Sequence, residues 1–347
     1  MQKIIKLKGK QKEKTMEEII YSVLIGFHIW VLILVIAVCL AVLSKGADIL
    51  VNEAVSLSIH WGISKMIIGA TIVSLGTTLP EAAVSVLAAV KGNADLALGN
   101  AIGSIIVDTG LIIGVSAWIG TLFIDKELIN NQGRIQLAAG ILLFISCLPY
   151  YNGTGIITQW IGFLFILLLA GYIYMTIKWG KKSKNQSPVL LTEDRSSLFA
   201  QFLKLALGII MVIISSQILI PSVEITALRI GIPQSVIAAT LVAFGTSLPE
   251  LVTAITAVRK GHGEIAIGNV IGADILNVLF VVGSSAAVTK GGLIVPEDFY
   301  KLQLPFMLVL LLIFRIIAKG KKGFIAKKEG TLLVGMYLIY LILNYFN

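Results

Sequence analysis

Apolar stretches of roughly 17 to 25 residues recur along almost the whole chain, each long enough to cross about 30 Å of hydrocarbon as an α-helix. They fall at 23–44, 66–90, 97–122, 135–150, 156–177, 201–221, 233–258, 266–288, 302–318 and 331–346. In hydrocarbon the backbone has no water to bond, so runs of this length and continuity demand helices. The expected fold is an all-α, multi-pass integral membrane protein of about ten transmembrane helices in the lipid bilayer. With 57% hydrophobic and 14% charged residues, the composition excludes an ordinary soluble domain. The segment 45–65, with Asp48, Asn52, Glu53 and His60, reads as the loop into the second span. Cys39 and Cys147 lie inside apolar spans and read as packing residues.

The formal charge of +9 does not point to nucleic acid, because Lys and Arg sit in the loops between spans. Loops 45–65, 123–134, 178–204, 259–265 and 315–330 fall on one side and collect 18 of them. The opposite loops hold four, Lys91, Arg229, Lys290 and Lys301. The positive-inside rule makes the richer side cytoplasmic. The six lysines from Lys3 to Lys14 then fall on the other side, against the trend.

Residues 69–114 align without a gap to 238–283 at an offset of 169, with 18 of 46 positions identical. Five spans separate equivalent helices, an odd number, so the second copy enters the membrane in the opposite sense. The expected organisation is a basic N-terminal tail (1–22), a first five-helix half (23–177), a cytoplasmic linker (178–200) and a second five-helix half (201–347). Inverted repeats of this kind are a recurrent plan of secondary transporters, with the substrate site near the midplane where the copies meet.

Each copy carries a polar signature inside an apolar span: Gly76-Thr77-Thr78-Leu79-Pro80-Glu81 and Gly245-Thr246-Ser247-Leu248-Pro249-Glu250. Proline removes a helical hydrogen bond and frees carbonyls about a turn earlier, near Gly76 and Ser74, or Gly245 and Ala243. Hydroxyls of Thr77, Thr78, Thr246 and Ser247 add neutral oxygens, and Glu81 and Glu250 add charge. A hard cation such as Ca²⁺ wants six to eight oxygens of this mixed kind. The bland account, a kinked helix with back-bonded hydroxyls, fits either Thr-Pro segment alone. It does not cover the glutamates, since a carboxylate near mid-bilayer costs at least about 2.5 kcal/mol.

A second pair of segments follows, Gly99 to Asp108 and Gly268 to Asn277, in which Asp108 and Asn277 are equivalents. A spacing of four places Ser104 with Asp108, and Ala273 with Asn277, on one helix face. Glycines at 99, 103, 268 and 272 read as close-approach positions. Asp274 sits off the Asn277 side and reads as lining an access path or pairing locally.

The two G-T-[ST]-L-P-E signatures, each followed by a G-N-x-x-G segment, resemble the alpha-repeats of the calcium:cation antiporter superfamily, the sodium/calcium exchangers and their prokaryotic relatives. The resemblance covers both repeats and the ten-span layout. It implies ion ligands at Ser74, Thr77, Thr78, Glu81, Ser104 and Asp108 from the first half, and at Ala243, Thr246, Ser247, Glu250 and Asn277 from the second. Pro80, Pro249, Gly76, Gly245, Gly103 and Gly272 are structural. Ala273 replaces the family's usual serine, and the acid of the Asp108/Asn277 pair lies in the first repeat.

The expected function is secondary-active exchange of Ca²⁺ for Na⁺ by alternating access, with inorganic cations as substrates and no cofactor. A transporter is implied, not an enzyme. A Ca²⁺/H⁺ antiporter using the same glutamates stays open at this stage. A cation channel fits less well, because its acidic ring normally comes from symmetric subunits. An intramembrane acid-pair hydrolase lacks any feature of a peptide site.

Overall fold

The computed structural model describes residues 16–149, 154–183, 198–231, 245–320 and 322–346. In chain order the elements are α1 (Met16–Leu24), α2 (Ile29–Trp61), α3 (Lys65–Thr77), α4 (Leu79–Val90), α5 (Ala94–Ile119), β1 (Leu122–Phe123), α6 (Lys126–Cys147), β2 (Ile156–Ile157) and α7 (Gln159–Ser183). The second half gives α8 (Leu198–Arg229), α9 (Leu248–Arg259), α10 (Gly263–Val288), β3 (Leu293–Ile294), α11 (Phe299–Ala318), β4 (Phe324–Ile325) and α12 (Lys327–Phe346). Two short antiparallel pairs, β1–β4 and β2–β3, each tie one half of the chain to the other.

Among the described residues six helices are long and apolar enough to cross a membrane: α2, α5, α7, α8, α10 and α11. The bent pair α3–α4 would make a seventh. Ten stretches were expected; of those at 135–150 and 331–346, residues 135–147 and 331–346 are helical in α6 and α12, and 233–258 is described only from residue 245. Of the apolar window of α10, 94% is buried, and of α5 78%, against 22% of α2 and of α7. The two helices that carry the G-N-x-x-G segments are therefore the core. The outer helices turn apolar side chains such as Trp30, Leu34, Trp160 and Leu167 outward, as a lipid-facing surface requires.

One reading of the sequence is corrected. Residues 45–61 are not a loop: α2 runs unbroken for 33 residues and stops at Gly62, whose φ of 60° caps the helix in the left-handed region. Leu50, Val51, Ala54 and Leu57 are buried on one face. The polar residues take the other, where Lys260 reaches Asp48 at 2.9 Å and the Asn52 amide oxygen at 2.9 Å. A mixed composition here marks an amphipathic helix end rather than a connection. The tail drawn at 1–22 includes α1, which packs on α8. Helix α7 continues to Ser183 and α8 begins at Leu198, so most of the linker drawn at 178–200 lies outside the described residues. Cys39 and Cys147 are buried and free.

The glycines expected to permit close approach divide. A methyl group built on Gly268 would lie 2.1 Å from the Met66 carbonyl oxygen, and one on Gly272 2.5 Å from Ser74 Oγ, so α10 seats directly on the backbone of α3. At Gly99 the nearest atom would be Phe299 Cζ at 3.5 Å, an ordinary contact, and at Gly103 nothing described stands within 4 Å. The segment that the 169-residue offset would set against α5 lies outside the described residues. A methyl group built on Gly76 would lie 2.6 Å from the Ile209 side chain of α8, and one on Gly245 3.5 Å from Ile220.

Candidate cation-binding site

The site is built on two matched helix breaks. Thr78 joins α3 to α4 with φ −80° and ψ −3°, and Ser247 leads into α9 with φ −84° and ψ 7°. Both lie near the sparsely populated bridge region. In each copy proline falls in the first two helical positions, where its missing N–H costs nothing, and the glutamate follows in the first turn. The two helix axes at the first break differ by 45°. Glu81 and Glu250 thus sit at helix N-termini, whose partial positive charge favours a carboxylate.

Ser74, Thr77, Thr78, Glu81, Ser104, Asp108, Ser247, Glu250 and Asn277 are all buried, and Thr246 is half-buried. Ala243 lies outside the described residues. Thr78 Oγ1 donates to Glu250 Oε1 at 3.4 Å, a direct contact between the two signatures. Thr77 Oγ1 donates to Asn269 Oδ1 at 3.3 Å, and Thr246 Oγ1 donates to Asn100 Oδ1 at 3.0 Å. These last two bonds are the same bond under the 169-residue offset, crossing between copies in both directions. Asn100 also donates to the Glu81 carbonyl at 3.2 Å and to Ser85 Oγ at 3.0 Å. Asn100 and Asn269 were not singled out as site residues in the sequence, although their recurrence in both Gly-Asn segments was the signal that could have found them.

The carbonyl that the sequence offered at Ser74 is already engaged, accepting from the Thr78 amide at 2.9 Å and from Thr77 Oγ1 at 3.3 Å. Pro80 lacks the amide that would bond four residues back, which leaves the Gly76 carbonyl without its helical donor.

The charges converge without neutralising one another. Glu81 has Glu250 and Asp108 as its electrostatic neighbours, and Asp108 has Glu250 and Asp274. Glu81 Oε2, Glu250 Oε2, both Asp108 oxygens and Asn277 Oδ1 are buried with no hydrogen-bond partner among the described residues. Arg315 is the one buried basic side chain among the described residues, and it is committed to Ile129 and Asn130 on α6. Buried acceptor oxygens without donors are costly. A cation is the group that satisfies several at once. Among the described residues no three acidic, histidine or cysteine side chains converge as a metal cluster. A Ca²⁺ held here would therefore draw on hydroxyl, amide and carbonyl oxygens beside the carboxylates. A cavity of about 440 Å³, lined by Asn100, Thr246, Pro80, Pro249, Ser216 and Glu224 among others, opens onto the signatures from one side.

Asp274 takes neither place in the Asp108/Asn277 pair. It pairs locally, accepting on one oxygen from Thr109 Oγ1 at 2.6 Å and from Gln136 Nε2 at 2.5 Å. Gln136, on α6, had no mark in the sequence that tied it to the repeats.

The profile of the sodium/calcium exchanger protein family matches the chain in two segments, residues 31–178 and 200–346. The chain belongs to this family. Each matched segment holds one copy of the exchanger signature, and the family is one of transporters rather than enzymes. The chain is 30% identical over 320 residues to the inner membrane protein YrbG of Escherichia coli K12, covering 90% of this chain and 96% of that protein. It is 30% identical over 356 residues to the sodium/calcium exchanger MaX1 of Methanosarcina acetivorans, covering 90% and 98%. The fold matches a solved structure of the sodium-calcium exchanger NCX_Mj with a TM-score of 0.76 and 27% identity, over 90% of this chain and 98% of that one. This exchanger-family chain is accordingly a multi-pass membrane protein.

Proposed function

We propose that the chain is a secondary-active antiporter that exchanges Ca²⁺ for Na⁺ by alternating access, with ten spans in two inverted five-helix halves and a cytoplasmic linker between them. The observation that carries this reading is the cluster of buried oxygens on Glu81, Glu250 and Asp108 that, among the described residues, have no donor and no buried cationic side chain committed to them. Relatives named sodium/calcium exchanger and the likeness to NCX_Mj support Na⁺ as the counter-ion. The reciprocal Thr77–Asn269 and Thr246–Asn100 bonds and the swapped strand pairs support the two-fold plan.

In this mechanism Glu81 and Glu250 clasp one dehydrated Ca²⁺. Thr77, Thr78, Thr246, Ser247, Ser104, Asp108 and Asn277, with the Gly76 carbonyl that Pro80 leaves without its helical donor and the carbonyl near Ala243, serve as further ligands. The same oxygens alternatively hold several Na⁺, and mutual exclusion couples the two fluxes. Loading neutralises the carboxylates and lowers the cost of carrying them past an apolar gate, whereas the unloaded anionic site is held back.

The test is radiolabelled calcium uptake into proteoliposomes under an imposed sodium gradient or a pH gradient, with Glu81→Gln and Glu250→Gln alongside. Sodium-driven uptake lost in both variants is the expected result. Uptake driven only by the pH gradient would move the protein to Ca²⁺/H⁺ exchange.

A further inference from the structure

The cavity that opens onto the signatures has a twin that is shut. The 169-residue offset extends beyond 69–114: α2 and α8 start at matched positions, Ile29 and Leu198, and α4 and α9 match from end to end. Cavity-lining Ser216, Ile220, Val84 and Leu96 then correspond to Ala47, Val51, Thr253 and Ile265. All four of these twins are 0% exposed. The same pair of walls is parted in one copy and closed in the other.

Helices α2 and α8 supply one wall of each. They run antiparallel and in backbone contact: a methyl group built on Gly208 would lie 2.9 Å from the Leu50 amide nitrogen, and Glu53 meets Lys204 at 3.8 Å. Asp48 and Asn52 therefore lie toward one end of this pair, and the segment from Ser216 to Glu224 toward the other. At the closed end the pair is fastened to the core by Lys260, which caps α9, the helix that carries Glu250 in its first turn. Lys260 Nζ lies 2.9 Å from Asp48 Oδ1, 3.3 Å from the Asp48 carbonyl oxygen and 2.9 Å from Asn52 Oδ1. An ammonium has three donors, and α2 offers three acceptors. At the open end the twins of Lys260, Asp48 and Asn52 are Lys91, Gln217 and Pro221. Gln217 and Pro221 line the cavity. Neither carries a charge, so closing that end cannot form the same ion pair.

We propose that Lys260 with Asp48 and Asn52 is a one-sided gate lock. It holds the α2–α8 pair on α9 while the opposite mouth is open, breaks each time the carrier reverses, and biases the ion-free chain toward the open-cavity state. The proposal rests on the alternating-access reading, though not on which ions are carried. Lys260 is a positioning residue that acts through the seating of α2 on α9. Its side chain is 28% exposed and that of Asp48 41%. An ion pair so placed shifts an equilibrium by up to about fivefold, enough to set a resting state and little enough to be broken in every cycle.

Maleimide labelling of the detergent-solubilised full chain tests the lock, in a background carrying Cys39→Ala and Cys147→Ala. Val51→Cys reports on the closed mouth and Gln217→Cys on the open one. Lys260→Gln and Asp48→Asn should each speed labelling at Val51→Cys by up to about fivefold, with labelling at Gln217→Cys unchanged or slower. A contact that only stabilised the fold would, when lost, speed both reporters together. The charge exchange Lys260→Asp with Asp48→Lys should return Val51→Cys to near its wild-type rate. Faster labelling at both positions, an unchanged rate at Val51→Cys, or no rescue by the exchange would overturn the lock. Labelling needs no ion gradient, so reporters that respond as expected in a chain without sodium-driven calcium uptake would sink the Ca²⁺/Na⁺ reading alone.

Discussion

Gly268→Ala tests whether the site depends on how closely α10 seats on α3. The added methyl would lie 2.1 Å from the Met66 carbonyl oxygen, 2.9 Å from its carbon and 3.1 Å from the Ala70 amide nitrogen. Ordinary contact begins at 3.4 Å, so the helices must part locally by about 1.3 Å, and the obstructing atoms are backbone that cannot rotate away. Overpacking of this kind costs about 1 to 3 kcal/mol. One residue along, Asn269 accepts from Thr77 at 3.3 Å, a bond with little length to spare. Breaking it strands a buried amide oxygen at a further cost of about 1 to 3 kcal/mol. The expected loss of stability is about 3 kcal/mol, read as a lower thermal midpoint in detergent. A fall in Ca²⁺ affinity of about tenfold accompanies it if about 1.4 kcal/mol of the strain falls on the bound state. Gly335→Ala is the control, because nothing among the described residues would stand within 4 Å of a methyl group at its position on α12. It should be neutral or stabilising by up to about 1 kcal/mol from helix propensity. If Gly268→Ala melts and binds Ca²⁺ like Gly335→Ala, the α3–α10 contact does not hold the site and the reasoning fails.

Three further outcomes are expected. A double-mutant cycle of Thr246→Val and Asn100→Leu, read by thermal unfolding, should give a coupling of about 1 kcal/mol, and additive effects would mean that the cross-repeat bond is not formed. Arg315→Met removes donors to the Ile129 carbonyl at 2.8 Å and to Asn130 on α6, and should lower stability by about 2 kcal/mol; an unchanged melting curve would contradict that role. Burial, together with Lys65 at 3.1 Å and Lys260 nearby, holds the His262 imidazole below its ordinary value, with Glu264 offsetting part of the shift. The unfolded chain then binds the proton more readily than the folded one, so stability falls as pH drops below about 6.5, and His262→Gln should flatten that slope. A slope identical in the variant would assign the effect to another group.

The multi-pass helical character and the signatures were legible because hydrocarbon and ion chemistry both leave plain marks: long apolar runs, and carboxylates where carboxylates are expensive. Thr78 meeting Glu250 across the copies follows from the repeat itself. What escaped was context. The stretch 45–61 looked like a loop because Asp48, Asn52 and Glu53 are polar, but their partners, Lys260 and Lys204, lie over 150 residues away in sequence. Gln136 could not be tied to Asp274 from sequence, since the helices that bring them together share no motif. The Ser74 carbonyl was offered as free on the strength of Pro80, yet a proline frees only the carbonyl four residues back, and the Thr78 amide still reaches Ser74.

The departures from symmetry bear on how such a carrier would work. Two inverted halves that exchange conformations present symmetric ligands equivalently to the two sides, so Glu81 and Glu250 alone would hold an ion with similar strength in either state. A ligand shifts a conformational equilibrium only through its differential affinity for the two states. Asp108 against Asn277, and Asp274 with Thr109 against Ile105 and Val278, are the acidic positions in the aligned repeats where the two copies differ at the core. Under the exchanger reading, the charge component of any preference of the loaded site for one side is written there. Exchanging the pair as Asp108→Asn with Asn277→Asp conserves charge and inverts the asymmetry. It should therefore move Ca²⁺ affinity in opposite directions on the two faces, and an inward-to-outward affinity ratio left unchanged would show that the preference is set outside the ligand shell.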